Sequence, residues 1–244
     1  MLVQFPSTLR ADITLPTSKS ISARALILRA LAGADTPIHD LSDSDDTRAL
    51  LAALAAATEV NQVEKNRQTP QSEEKVVENN GAKTSSDANG SSTFPIDIGA
   101  AGTAMRFLTA YFATCAGKSC MLTGSARMKE RPIALLVDAL RSLGAEIDYV
   151  EKEGFPPLRI QGKTLHGGTV ELSAQVSSQY ISALLMIAPT LEQGLTLRLL
   201  GEIASAPYIV MTLALMKSFG IDAKWEGNEL FVPAGRYRCL QPYH

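Results

Sequence analysis

Leu140-Arg141-Ser142-Leu143-Gly144-Ala145-Glu146-Ile147-Asp148 has a near copy in Leu215-Met216-Lys217-Ser218-Phe219-Gly220-Ile221-Asp222-Ala223, with the two glycines 76 positions apart. In each, a helical pattern runs into a glycine placed to end it in a left-handed residue. A weaker copy, Leu51-Ala52-Ala53-Leu54-Ala55-Ala56-Ala57-Thr58-Glu59-Val60, lacks that glycine. Repetition at this spacing predicts an α/β fold of three similar units, each of strands plus two helices.

Working outward, helical apolar spacing covers about 20–33, 45–57, 102–116, 131–143, 177–191 and 206–219. Short β-prone runs such as Leu158-Arg159-Ile160 and Leu195–Leu199 fall between them. The helices are of two kinds. Segments 20–33, 102–116 and 177–191 are rich in small residues and apolar on nearly all sides, as in Ser178-Gln179-Tyr180-Ile181-Ser182-Ala183-Leu184-Leu185-Met186, which predicts helices buried among other elements. The other three are more amphipathic. Between Val63 and Thr93 the composition shifts to Glu, Lys, Asn, Gln, Ser and Gly, with only Val76 and Val77 as sizeable apolar residues. That is too little to offset ordering entropy, so a mobile insertion is expected at about 64–93.

The 244 residues, 45% of them hydrophobic, suffice to bury a core, and a formal net charge of −2 means that any basic character is local. That argues against a nucleic-acid or membrane-surface role and for a small ligand. Cys115, Cys120 and Cys239 form no CxxC pattern, and no basic segment followed by an apolar run opens the chain, which fits the cytoplasm. His39, His166 and His244 are too scattered in sequence for a metal site and are expected at the surface.

Several helix starts carry polar groups. Leu15-Pro16-Thr17-Ser18-Lys19-Ser20-Ile21-Ser22-Ala23-Arg24 is either a capped helix with two exposed cations or an anion site. In the second case Lys19, the Ser20 hydroxyl and Arg24 converge on a phosphate or carboxylate at the positive helix end. Gly99-Ala100-Ala101-Gly102-Thr103-Ala104-Met105-Arg106 has small residues that let a ligand approach backbone N–H groups; close packing is the other option. Gly162-Lys163-Thr164 is not a P-loop, because Pro157 holds the upstream glycine position. Thr123-Gly124-Ser125-Ala126-Arg127-Met128-Lys129-Glu130-Arg131-Pro132 puts three cations in a loop whose proline suits the first turn of the next helix, and such a loop can offer planar guanidinium groups to an anion. Val176-Ser177-Ser178-Gln179-Tyr180 and Ser205-Ala206-Pro207-Tyr208 open two further helices. One serine at a helix start is an ordinary cap; the recurrence is what points to a cleft for a polyanion.

Taken in order, these five segments resemble the enolpyruvyl transferases, in particular the branch whose acceptor is shikimate 3-phosphate. Arg127-Met128-Lys129-Glu130-Arg131-Pro132 together with Ser177-Ser178-Gln179 carries most of the likeness. The resemblance implies a lobe of three βαβαββ-type repeats with buried helices. Residues 1–14 would form a strand belonging with a second lobe, 15–233 the lobe itself, and 234–244 the start of the crossing. It further implies that shikimate 3-phosphate meets Lys19, Ser20, Arg24, Ser177, Ser178, Gln179, Ser205 and Tyr208. Phosphoenolpyruvate would meet Lys19, Gly102, Arg127 and Gln179, with Lys19 catalytic. No cofactor or metal is implied, and the expected state is a monomer that needs the second lobe. The chain by itself is therefore expected to bind substrate without turning it over.

The sequence also departs from that pattern. Thr17 stands where glycine is frequent, Ala23 and Ala100 where asparagine is, and Ala206 where lysine is. A sister enzyme acting on UDP-N-acetylglucosamine is the nearest alternative. It has Lys-Asn rather than Lys19-Ser20 at the first segment and a cysteine in the loop at 122–132, which is absent here. A non-catalytic lobe that binds phosphate ligands is the other.

Overall fold

The computed structural model describes residues 16–34, 38–68, 85–86, 92–203 and 205–238. Helices α1 (Lys19–Ala32) and α2 (Asp45–Gln68) come first. They are followed by β1 (Ser85–Ser86), β2 (Ser92–Asp97), α3 (Gly102–Ala113), β3 (Ser119–Thr123), the single turn α4 (Ala126–Lys129), α5 (Ala134–Ser142), β4 (Glu146–Tyr149) and β5 (Leu158–Gln161). The last stretch holds β6 (Gly168–Ser173), α6 (Ser178–Ile187), a 3-10 turn at Ala188–Thr190, β7 (Leu195–Leu200), α7 (Ala206–Ser218), β8 (Lys224–Glu226) and β9 (Glu229–Val232).

The strands make two sheets with the same plan, β1-β2-β3-β5-β4 and β6-β7-β9-β8. In the first, β2 runs parallel to β3 while β5 is antiparallel to both β3 and β4; β6, β7, β9 and β8 repeat this in the second. A parallel pair needs a crossover, supplied by α3 and α6. The repeat is metric as well as topological. Elements β6, α6 and β7 begin at 168, 178 and 195, each 76 residues after β2, α3 and β3 at 92, 102 and 119. Helices α5 and α7 both end as the glycines predict: Gly144 and Gly220 have φ of 101° and 83°. The Gly144 and Ala145 N–H groups bond back to the Arg141 and Leu140 carbonyls, and Gly220 and Ile221 do the same to Lys217 and Met216.

Helices α1, α3 and α6 touch one another at the centre, and the other three fill the gaps in rotation. Helix α2 packs on α1 and α3, α5 on α3 and α6, and α7 on α6 and α1. Small residues permit this: Ala23, Ala25, Ala104, Ala110 and Ala183 are all buried. Each sheet turns alternate side chains inward, such as Cys120 and Leu122, or Leu195, Leu197 and Leu199, as the period of two requires. Solvent-side residues Arg198, Glu171 and Glu229 pair across strands.

Three expectations are corrected. Helix α2 continues to Gln68 instead of stopping near 57, because the Glu, Lys, Gln and Arg that follow the apolar pattern are good helix formers. Helix α3 stops at Ala113, three residues short of 116. Pro132 does not enter the next helix, which begins at Ala134. Its carbonyl is held outside as an acceptor for Arg106 Nη2 (3.2 Å) and the Tyr180 hydroxyl (2.7 Å). Of the insertion expected at 64–93, residues 69–84 and 87–91 lie outside the described residues, as do the expected strand at 1–14 and Cys239 and His244 near the end.

Candidate functional site

The central helices α1, α3 and α6 bring their N-terminal ends together, and one chain of hydrogen bonds ties these three to the start of α2. Lys19 opens α1, capped by the Ser18 hydroxyl, and its Nζ lies 3.2 Å from Asp46 Oδ2 in the first turn of α2. Asp46 Oδ1 accepts the Thr103 N–H at 2.8 Å, from the first turn of α3. The Thr103 hydroxyl in turn accepts from Gln179 Nε2 at 3.1 Å, at the start of α6, where Ser177 Oγ caps the Gln179 N–H. Asp46 is buried, which pushes its carboxyl pKa up, but the Thr103 N–H and the Lys19 ammonium outweigh that and hold it below the ordinary 3.8. The carboxylate is therefore ionised at neutral pH, and Lys19 keeps a half-exposed ammonium fixed beside the helix starts.

Next to this chain is an open cleft of about 490 Å³ lined by Ala100, Ser125, Arg127, Met128 and Arg131. Two close approaches shape it. Gly124 passes the Gly99 carbonyl so tightly that a β-carbon would lie 2.5 Å from that oxygen, while the Ser125 N–H donates to the same carbonyl at 2.9 Å. Beneath, the buried Arg106 guanidinium joins the Gly102 carbonyl (3.2 Å), Met128 Sδ (3.6 Å) and the Pro132 carbonyl, clamping α4 to α3. Burial lowers its pKa, opposed by Tyr180.

Arg24 lies inside the helix core, 2% exposed. Its Nε donates to Thr212 Oγ1 (2.8 Å), Nη1 to the Ser20 carbonyl (2.9 Å) and Nη2 to Ser182 Oγ (2.7 Å). Its Cζ sits 5.4 Å from the Phe107 ring centre and 5.9 Å from that of Tyr208. Burial lowers its pKa to about 10, so it stays charged at neutral pH.

The structure thus gathers Lys19, Gly102 and Gln179 around one network and sets Arg127 in the adjoining cleft, with Ser177 and Ser178 at the start of α6. Tyr208 reaches Arg24, and Ser205 opens α7 without a side-chain capping bond; Ser20 contributes its carbonyl to Arg24. Among the departures, Ala100 faces the cleft, Ala206 is the first residue of α7 and Ala23 is buried. Gly162 packs against the Cys115 carbonyl with no room for a β-carbon, a structural reason for the glycine rejected above as part of a P-loop. Two functional-looking residues had no role assigned from sequence. Asp46 reads as an ordinary acidic residue in a first helical turn, and Arg106 as an isolated cation in an apolar helix. The His166 ring, on the surface as expected, pairs with Glu192 at 2.9 Å. No group of three or more potential metal ligands occurs among the described residues, and none of their helices is long and apolar enough to cross a membrane.

Comparison with known proteins places the chain in a family. Residues 3–241 match the family model for EPSP synthase (3-phosphoshikimate 1-carboxyvinyltransferase). A 3-phosphoshikimate 1-carboxyvinyltransferase of Bacteroides fragilis strain YCH46 is 48% identical over 240 residues, covering 98% of this chain and 50% of the relative. One of Photorhabdus laumondii is 44% identical over 247 residues, covering 100% of this chain and 54% of the relative. The chain spans about half the length of the curated relatives it matches. Among solved structures, EPSP synthase from Acinetobacter baumannii shares the fold with a TM-score of 0.69 at 22% identity, over 93% of this chain and 48% of that one. The family match over nearly the whole chain shows that it belongs to the EPSP synthase (3-phosphoshikimate 1-carboxyvinyltransferase) family.

Proposed function

We propose that this chain forms one side of a cleft in which the enolpyruvyl group of phosphoenolpyruvate is transferred to the 5-hydroxyl of shikimate 3-phosphate, in the route to chorismate and the aromatic amino acids. The carrying observation is the Lys19–Asp46–Thr103–Gln179 network, which fixes an ammonium beside three helix starts and next to two arginines with no carboxylate lining their cleft. In that reaction the hydroxyl adds to C2 of phosphoenolpyruvate, a proton goes to its methylene carbon, and phosphate leaves the tetrahedral adduct. Cations held in place before the reaction stabilise such charge, and the catalytic role falls to Lys19 in this reading. Shikimate 3-phosphate is held by Lys19, Ser20, Ser177, Ser178, Gln179, Ser205 and Tyr208, with Arg24 behind them; phosphoenolpyruvate meets Lys19, Gly102, Arg127 and Gln179. The working enzyme is a cytoplasmic monomer in which a second lobe of the same fold completes the cleft.

Calorimetric titration of the chain with shikimate 3-phosphate and, separately, UDP-N-acetylglucosamine tests the assignment. Saturable binding of the first and none of the second is expected. Preference for the nucleotide sugar would transfer the chain to the sister activity, and binding of neither would remove the substrate assignment.

A further inference from the structure

The cleft beside α3 holds more positive charge than the residues assigned so far account for. Arg127 and Arg131 both line it, and neither guanidinium has a hydrogen bond or ion pair with a described residue, whereas Lys129 between them is paired with Glu151. The Arg131 guanidinium lies across the first turn of α3. A β-carbon on Gly102 would overlap Arg131 Nη1 and come within 2.8 Å of Cζ and 2.9 Å of Nη2. Arg131 is also close enough to depress the Arg106 pKa by repulsion, behind the larger effect of burial. Guanidinium groups gathered at the positive end of a helix repel one another and the helix until an anion enters. Such an arrangement is built for a bound anion.

We propose that Arg131 is a second anion-holding residue of the phosphoenolpyruvate half of this cleft, and that position 102 is glycine because the Arg131 guanidinium occupies the space of a side chain. The proposal rests on the cleft assignment made above. Its first consequence is that a methyl group at 102 acts by displacing Arg131, the free end of a flexible side chain, and not by disturbing the fold. Its second is that lysine at 131 is a poor replacement, because an ammonium cannot lie flat across the helix turn and offer two parallel donors.

Nuclear magnetic resonance titration of the chain with phosphoenolpyruvate, followed at the Gly102 and Thr103 amides and the arginine Nε–H groups, tests this. Arg131→Ala is expected to weaken binding roughly tenfold, the loss of one charge-assisted contact, and Arg131→Lys to recover only part of it. Gly102→Ala should match Arg131→Ala, and the double variant should be no weaker than Arg131→Ala alone, since both changes remove the same contact. Wild-type affinity in Arg131→Ala, or fully additive losses, would overturn the proposal. An Arg127→Ala loss without an Arg131→Ala loss would overturn it while leaving the cleft assignment standing. Wild-type affinity in both single arginine variants, or no response of Gly102 and Thr103 in the unaltered chain, would overturn the cleft assignment with it.

Discussion

Asp46 shows how a single side chain can decide the geometry of a site without touching a ligand. Two interactions meet on it, and their magnitudes differ. The pair with Lys19, whose side chain is half exposed, is worth at most about 1 kcal/mol, as for surface ion pairs generally. The bond from the buried Thr103 N–H is the larger contribution, because without it a buried donor is left unpaired, at roughly 1–3 kcal/mol. Asp46→Ala is therefore expected to destabilise the chain by roughly 2 kcal/mol, and Asp46→Asn, which keeps an acceptor, by less than half of that, measured by urea denaturation. The pH dependence has a definite sign. Because the Asp46 pKa is lower in the folded chain than the ordinary 3.8, its contribution is present in full above that value and is lost as pH falls through the folded pKa. Thermal melts between pH 2 and 7 should show less acid destabilisation in Asp46→Asn than in the unaltered chain. Arg24 and Arg127 differ in the same residue-level way. Arg24, enclosed beside Ser20 and Tyr208, should on replacement by alanine lose shikimate 3-phosphate affinity by roughly ten- to a hundredfold, along with some stability. Arg127, exposed in the cleft, should change neither much, as calorimetry with circular dichroism would show. Equal losses of affinity in both variants would mean that the two ligands are not partitioned between these arginines.

At the scale of elements, the 76-residue repeat was legible because its signal is local: apolar spacing, then a glycine that only a left-handed residue requires. The same locality explains what was not legible. The end of α2 at Gln68 depends on helix propensity beyond the apolar pattern, and the exclusion of Pro132 from α5 depends on Arg106 and Tyr180, distant in sequence. Asp46 and Thr103 are likewise 57 positions apart, so nothing in the sequence around either announces their bond. Lys19 and Gln179 stand out as candidates because they are polar groups at the starts of otherwise apolar helices, and Arg127 because it is one of three cations in a short loop, whereas Arg24 gives no sign in the sequence of how deeply it is enclosed. The two capping glycines allow a test of equivalence within the repeat. Both have positive φ, so alanine is strained at either, at about 1–2 kcal/mol. The surroundings then separate them: a β-carbon at 144 would meet His166 Cδ2 at 3.3 Å, while one at 220 has Arg238 Cβ at a comfortable 3.9 Å. Gly144→Ala should therefore be the more destabilising of the two in urea denaturation, and the reverse order would mean that backbone strain alone sets the cost.

At the scale of the whole molecule, three buried helices meeting at their starts concentrate helix-end charge where no single unit of the repeat could, and this is what a repeated fold contributes to anion binding. The same view bears on the chemistry. Transfer of an enolpyruvyl group needs a proton donor for the methylene carbon and an acceptor for the hydroxyl proton, with protonation states suited to neutral pH. Among the described residues Asp46 is the one buried carboxylate, and the Thr103 N–H and Lys19 hold it ionised, so it cannot act as the acid. Arg127 and Arg131 carry a permanent charge and donate no proton. Lys19 is the remaining titratable group of the Lys19–Asp46–Thr103–Gln179 network, and one ammonium cannot serve at both reacting atoms in one step. The chain by itself is accordingly expected to bind shikimate 3-phosphate, whose proposed contacts come from α1, α6 and α7, and to release no phosphate from a mixture of shikimate 3-phosphate and phosphoenolpyruvate. Addition of a separately produced C-terminal half from a relative should restore phosphate release, with a rate that rises and saturates with the concentration of the added half. Steady phosphate release by the purified chain alone would mean that the acid and base reside in this lobe after all, and would move the search for them to Lys19 and its neighbours at the helix starts.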